Sequence, residues 1–289
     1  MWSNGRMTPE TSGFVPVRDR IANHLREAIA SGELKPGDAL PSLSVISAEW
    51  EVAKATAEGA LALLRDEGLV VPGGRGKPAT VQAPKKRHNI YLSDGWTQQQ
   101  KDLVLRPEAE RRETGAIELT AGISIDDTDS SSIYTETSAD AEQAQILGVE
   151  PGTPLVQRVY EMVHKSTGLR CSWSVSYIPR ALIEGNPALL DQNNEPWPGG
   201  HQHQLYTVGI ELARFTRTVF SAQPTPSERA AWGMNPGTPM LHVLSRSIDT
   251  QDRVVEYSEA RYPADTTEIT VTEELRPWTS EQLNAAGGA

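Results

Sequence analysis

The sequence predicts an α+β chain made of two unlike domains, a small helical module with a short β-hairpin followed by an antiparallel sheet flanked by helices. Three observations carry this prediction. Residues 18–81 hold three short helical patterns, a sharp turn at Pro36-Gly37 and a Gly-rich basic tip. Further along, a helix, a Pro-Gly-Thr-Pro turn and two alternating strands occur twice in succession. Finally, the 289 residues exceed the usual size of one domain.

In the first module, Val17, Ile21, Leu25, Ala28 and Ile29 recur mostly at three- and four-residue steps. That spacing lays one apolar stripe along a helix from Val17 to Ala30. Gly32 and then Pro36-Gly37 stop it. Ser42 or Ser44 caps a second short helix reaching Glu49 or Trp50. A tight turn ends at Val52. A third helix, Lys54 to Glu67, turns Ala57, Ala60, Leu61 and Leu64 to the core, and Gly68 terminates it. Leu69-Val70-Val71 and Ala79-Thr80-Val81 read as two strands around the tip Pro72-Gly73-Gly74-Arg75-Gly76-Lys77. Helix, helix, turn, helix and a basic two-stranded wing is the winged helix-turn-helix plan, expected over residues 14–82. Such a module places its third helix in the major groove of a duplex. Lys54 and Thr56 sit at the start of that helix. Ser42 and Ser44 offer hydroxyls and N–H groups to a phosphate, and Arg75 and Lys77 reach from the wing. The competing reading of Lys54, Arg75 and Lys77 is that they are solvated surface charges.

The net charge of −11 argues at first against nucleic acid. Residues 1–87, however, hold 12 Lys+Arg and 10 Asp+Glu, a balance of +2, while residues 88–289 hold 15 and 28, a balance of −13. Phosphate contact therefore falls to the N-terminal part. No run approaches the roughly 20 apolar residues of a membrane span, and the N-terminal residues have no apolar signal core. The single cysteine, Cys171, excludes an internal disulfide framework and a multi-Cys zinc site. Cytoplasmic residence is expected, with no membrane, metal or cofactor.

Residues 83–112 lack sustained periodicity and carry the cluster Lys85-Lys86-Arg87-His88 and the run Gln98-Gln99-Gln100, as expected of a linker. The second domain, 113–272, contains the repeat. Its first copy runs from Ala144 through Gly148 and Pro151-Gly152-Thr153-Pro154 to Arg158, and ends in Ser174-Val175-Ser176-Tyr177-Ile178-Pro179. Its second runs from Ala231 through Gly233 and Pro236-Gly237-Thr238-Pro239 to Arg246, and ends in Glu256-Tyr257 and Tyr262-Pro263. The strand turns are Lys165–Gly168 and Asp249–Asp252. Two copies are too few for a solenoid, so a pseudo-symmetric antiparallel sheet is expected.

The stretch I-x-x-x-L-R-E-x-I-A-S-G-E-L-K-P-G-D-x-L-P-S, with A-T-A-E-G-A-L-x-L-L-R-D-E-G-L-V and the Gly-rich tip, resembles the DNA-binding domain of GntR-family bacterial regulators over about Phe14 to Gln82. Two positions depart from that family. The Arg usual after Pro-Ser is Ser44 here, and the turn that commonly reads V-S-R-x-T-V is Val52-Ala53-Lys54-Ala55-Thr56-Ala57. Lys in place of Arg gives up bidentate pairing for a point charge. The repeat, with Gln204-Leu205-Tyr206 and Gly209-Ile210-Glu211, resembles the UTRA effector-binding domain over about Thr114 to Val271. That domain is found behind the GntR module in the HutC subfamily and is similar in fold to chorismate lyase.

This resemblance implies a ligand-responsive regulator, in the main a repressor, that binds a palindromic operator as a homodimer. Two recognition helices about 34 Å apart match successive major-groove faces. By motif position, the effector is expected to meet Arg158, Tyr160, Ser174, Ser176, His201, Arg246, Glu256 and Tyr257. Arg158 and Arg246 are the cations that would pair with a carboxylate or phosphate. The acidic residue that sugar-phosphate binders of the family often carry is Ser174 here, and their R-x-R spacing survives only as Arg158-Val159-Tyr160, so the effector class stays open. The alternative is an enzyme tethered to a degenerate DNA head, either chorismate-lyase-like or metal-dependent through His201-Gln202-His203. Against it, Ser174, Ser176 and Ser258 lack a nucleophile elbow, and Gly73-Gly74-Arg75-Gly76 is too short for a phosphate loop.

Overall fold

The computed structural model describes residues 15–74, 77–83, 87–92, 94–113 and 127–273, with 275, 277 and 279. The chain divides into two compact units, Met1–Lys85 with Met234–Thr238, and Lys86–Gly233 with Pro239–Ala289. No helix among the described residues is long and apolar enough to cross a membrane.

In the first unit, α1 (Val17–Ala30) buries Ile21, Ala22, Leu25 and Ala28, the expected stripe. α2 (Leu43–Glu49) starts at Ser42, whose Oγ accepts from the Val45 N–H at 3.3 Å. The turn that follows holds Glu51 at φ 53, and the Val52 N–H closes it on the Ser47 carbonyl. α3 (Lys54–Asp66) buries Ala57, Ala60, Leu61 and Leu64 against the other two helices. Arg26 of α1 grips Glu67, just past α3, through two nitrogens at 2.9 and 2.6 Å. The wing is β1 (Val70–Val71) and β2 (Thr80–Val81), antiparallel and shorter than the sequence suggests. The Pro36-Gly37 segment continues this small sheet. Gly37 donates to the Val81 carbonyl, Val81 to that of Asp38, and Leu40 to that of Ala79. Positive φ at Gly37 (88°) lets the chain turn there.

Residues 83–112, expected to be a linker, carry regular structure. β3 (His88–Tyr91) pairs in parallel with β10 (Thr267–Thr270) near the end of the chain. α4 (Asp94–Leu103) takes in the Gln run, and α5 (Glu108–Glu113) follows. The missing signal is physical. A four-residue strand shows no period, and its partner lies far along the chain. Glutamine is also a good helix former. Of the basic cluster, Lys85 and Lys86 lie outside the described residues, while Arg87 pairs with Glu268 of β10 at 3.0 Å.

The second unit is built on one antiparallel sheet of six strands: β4 (Thr128–Ser138), β5 (Pro154–His164), β6 (Arg170–Pro179), β7 (Leu212–Ala222), β8 (Met240–Asp249) and β9 (Val254–Pro263). Their order is β4-β5-β6-β9-β8-β7. Each repeat is thus longer than the sequence suggests, because a strand precedes its helix: β4-α6-β5-β6 and β7-α9-β8-β9. α6 (Ala141–Leu147) and α9 (Pro226–Trp232) have matching ends. Asp140 with Gln143, and Thr225 with Glu228, form capping boxes, and Gly148 and Gly233 end the helices at φ 66 and 57. The copies meet where β6 pairs β9, Ser174 opposite Ala260 and Ser176 opposite Ser258. One face of the sheet packs Val156, Ile178, Ile183, Leu189, Leu205 and Ile210; the other packs Leu155 against Ala144 and Leu147 of α6. Between β6 and β7 lie α7 (Arg180–Ile183), two 3-10 turns and α8 (Gly200–Tyr206).

Candidate functional site

The residues nominated for DNA sit at helix starts and on the wing. Ser42 is the cap of α2, and exposed Ser44 lies in its first turn. Exposed Lys54 opens α3, with Thr56 half-buried two positions later. Lys77 is exposed on the wing, while Arg75 lies outside the described residues. An aromatic contact on α1 was not legible from the residues alone: Arg20 and His24 each lie 5.8 Å from the Trp50 ring. One-turn spacing puts both side chains on the same helix face.

In the second unit, sheet register decides which nominated side chains meet. Directly opposed residues of antiparallel strands share a face. Tyr134, Arg158, Ser176, Ser258 and Ser245 form one row across β4, β5, β6, β9 and β8. Two residues along, Tyr160 and Ser174 stand opposite each other on that same face. Glu256, two before Ser258 and opposed by Ser247, shares the face but lies on the other side of that row from Tyr160 and Ser174, since Ser174 is opposed by Ala260. Tyr257 and Arg246 form a pair on the reverse face. There Tyr257 stacks on Tyr177 with ring centroids 6.2 Å apart, and Arg246 is exposed. The expected single set is therefore two sets. Counted from Pro154 and Pro239, Arg158 is the fourth residue of its copy and Arg246 the seventh, and an odd difference reverses the face.

Arg158 is only 1% exposed. It donates to Gln204 Oε1 at 2.6 Å and to the Leu189 carbonyl at 2.8 Å, and its guanidinium lies 4.8 Å from the Tyr134 ring centroid. Gln204 passes the network on by donating to Glu195 Oε1 at 2.9 Å. The same oxygen accepts from the Tyr160 hydroxyl at 3.0 Å and from that of Tyr134. Glu195 Oε2 accepts from the Trp197 N–H at 2.7 Å. Burial pushes the Tyr134 phenol up to about 12, and burial together with the Glu195 charge raises that of Tyr160 further. Both stay protonated as donors to the carboxylate. The two Arg158 bonds engage one donor on each of its terminal nitrogens and leave its Nε–H without a partner among the described residues. Glu195 and Gln204 are central residues that the sequence reading missed, since a loop and a helix, not the repeat, deliver them.

Beside this network, two buried polar atoms lack a partner among the described residues: Arg158 Nε and the Oγ of Ser176, which is 6% exposed. Ser174 is half-buried next to them. The Glu256 carboxylate, on a residue 5% exposed, accepts from Ser247 Oγ at 3.1 Å and has His201 Nε2 at 3.7 Å. His201 also meets Phe215 edge-on. Along this one sheet face, Ser174 lies on one side of the Ser176–Ser258 row, and Glu256 with Ser247 and His201 lies on the other.

The two-histidine metal reading fails on geometry. His201 and His203 lie on a helix, not a loop, and two residues on α8 are about 200° apart around the axis. His203 Nδ1 instead accepts from Trp197 Nε1 at 2.9 Å. Burial, helped by Arg111, lowers the pKa of His203.

Comparisons with known proteins place both halves. Residues 17–76 match the family of bacterial regulatory proteins, gntR family, and residues 132–268 match the UTRA domain. The HTH-type transcriptional repressor PhnF of Mycolicibacterium smegmatis is 26% identical over 261 residues, covering 88% of this chain and 93% of that one. The mannosyl-D-glycerate transport/metabolism system repressor MngR of Escherichia coli K12 is 24% identical, covering 90% and 96%. A crystal structure of a GntR-family transcriptional regulator superposes with a TM-score of 0.64 at 22% identity, covering 90% of this chain and 98% of that one, which shows a shared fold. These families regulate transcription, and the chain is not an enzyme. A DNA-binding helix-turn-helix domain followed by an effector-binding UTRA domain makes it a GntR-family transcriptional regulator, of the HutC subfamily by domain composition.

Proposed function

We propose that this regulator acts as a repressor that binds a palindromic operator as a homodimer, and that a small effector in the UTRA domain changes the spacing of the two DNA heads. Residues 14–82 read the duplex, and residues 113–272 hold the effector. The intervening segment, with β3, α4 and α5, couples the two. α3 enters the major groove by its N-terminal end, with Lys54 and Thr56 near base edges. Ser42 and Ser44 meet a phosphate, and Lys77 and Arg75 extend the contact from the wing.

For the effector, the observation with most weight is the buried, unpartnered Ser176 hydroxyl beside buried Glu256. Ser174, Ser176, His201 and Glu256 make the recognition set. Arg158 and Tyr160 form its floor and hold it in shape, while Tyr257 and Arg246 stay on the reverse face. A rim of hydroxyls with one carboxylate suits a hydroxylated ligand. The effector's leverage is limited to its differential affinity for the two dimer geometries.

The test uses the full chain on DNA from upstream of its own gene. Sedimentation should give two protomers per retarded duplex, and ligands found by thermal stabilisation should change operator affinity. Equal affinity with and without every stabilising ligand would remove the regulatory coupling.

A further inference from the structure

The outward face of α3 carries a feature that neither stability nor bulk DNA attraction explains. Ala57, Ala60, Leu61 and Leu64 turn inward, so Ala55, Glu58 and Ala62 fall on the sides of the helix that face away from them. Ala55 and Ala62 keep that surface low and allow close approach to a groove floor. Glu58 is exposed, and it makes no ion pair or side-chain hydrogen bond among the described residues.

The structural uses of an acid at this place are weak. Glu58 is the fifth residue of α3, past the first turn where the helix dipole favours carboxylates. Lys54 precedes it by four, the less favourable order for such a pair on a helix. Next to phosphates a carboxylate is repelled. Its presence on a reading face is rewarded only where a base offers a donor and no competing acceptor. Guanine presents N7 and O6 acceptors in the major groove, thymine presents O4, and adenine sets N7 beside its amino group. Cytosine presents the N4 amino group alone.

We propose that Glu58 is a base-reading residue, its carboxylate accepting from the N4 amino group of a cytosine at one position in each half-site. The assignment rests on the DNA-binding reading given above.

Selection of random duplexes by the full-length protein and by its Glu58→Ala and Glu58→Gln variants tests this. Exposed Glu58 is removable without loss of fold, which matched thermal midpoints will verify. The wild-type motif should contain one strongly preferred cytosine per half-site. Glu58→Ala should lose preference at that position alone and bind the selected operator about tenfold more weakly, with the same salt slope, because no phosphate contact is lost. Glu58→Gln should shift the position toward adenine. Identical motifs for wild type and Glu58→Ala, or a uniform gain in affinity across all duplexes, would overturn the assignment and leave the regulator reading intact. No enriched motif from the wild type would overturn both.

Discussion

The two repeats of the UTRA sheet share one scaffold and differ in what they bury. Counted from the proline that closes each Pro-Gly-Thr-Pro turn, Arg158 and Tyr160 of β5 correspond to Val243 and Ser245 of β8. The edge strands agree, since Tyr134 stands opposite Arg158 and Val219 opposite Val243. Helix caps, turn and hairpin are conserved between the copies, while among the described residues the buried guanidinium sits in the first copy alone. There a guanidinium, two phenols and the Glu195 carboxylate join one network through Gln204; in the second, Val243, Val219 and Ser245 take the places of Arg158, Tyr134 and Tyr160. A pseudo-symmetric frame therefore carries an asymmetric site. The backbone tolerates either solution because side-chain chemistry on a sheet face is independent of the ladder that holds the strands.

Breaking the buried arginine network should cost most. Arg158→Ala strands the Gln204 and Leu189 oxygens and empties a buried volume, so roughly 3–5 kcal/mol is expected, against about 2 kcal/mol for Val243→Ala. Urea unfolding of the UTRA unit in the intact chain measures both, and equal costs would end the contrast.

The second half should dominate the acid limb of stability. Burial pushes the Asp249 carboxyl up, but the Arg253 N–H and guanidinium and the Gln251 N–H outweigh it and hold it below the usual carboxylate range. Glu259 is likewise lowered, by Arg261 and His242 against burial, and Glu228 by Thr225 and Arg261. A lowered folded value means that the unfolded chain takes up protons first. Stability is therefore present above about pH 4 and is lost as pH falls through the folded values. Asp249→Asn should cost about 1–2 kcal/mol at pH 7 and flatten the acid limb. An unchanged pH profile would place the acid sensitivity elsewhere.

The smallest effects on stability sharpen the contrast between sheet faces. Ser176→Ala removes a buried hydroxyl that has no partner among the described residues, so thermal stability should hold or rise by up to about 1 kcal/mol while stabilisation by the effector falls. Arg246→Ala, on the reverse face, should leave both unchanged. A response lost in Arg246→Ala and kept in Ser176→Ala would move the effector to the other side.

Much of this was legible from residues alone where the information is local. The apolar stripe of α1, the Ser42 cap, the Lys54 start of α3, and the Gly148 and Gly233 stops follow from helical period, capping chemistry and left-handed backbone. Each of these acts within a few residues. The doubled Pro-Gly-Thr-Pro turn likewise announced the paired hairpins. β4 escaped notice because TDSSSIYTETS has little apolar alternation, and its strand state comes from a neighbour, β5.

Which face a strand residue occupies, and which groups surround a buried arginine, were decided only by tertiary structure. Side chains alternate with a period of two, so a single position reverses a face, and β-bulges such as the one at Ser247/Ile248 change the count. The partners of Arg158 come from Gln204 on a helix and from Leu189 in a 3-10 turn, separated from it by 46 and 31 positions. Local spacing holds no record of such approaches, because they follow from how the chain packs over the sheet after the strands have paired.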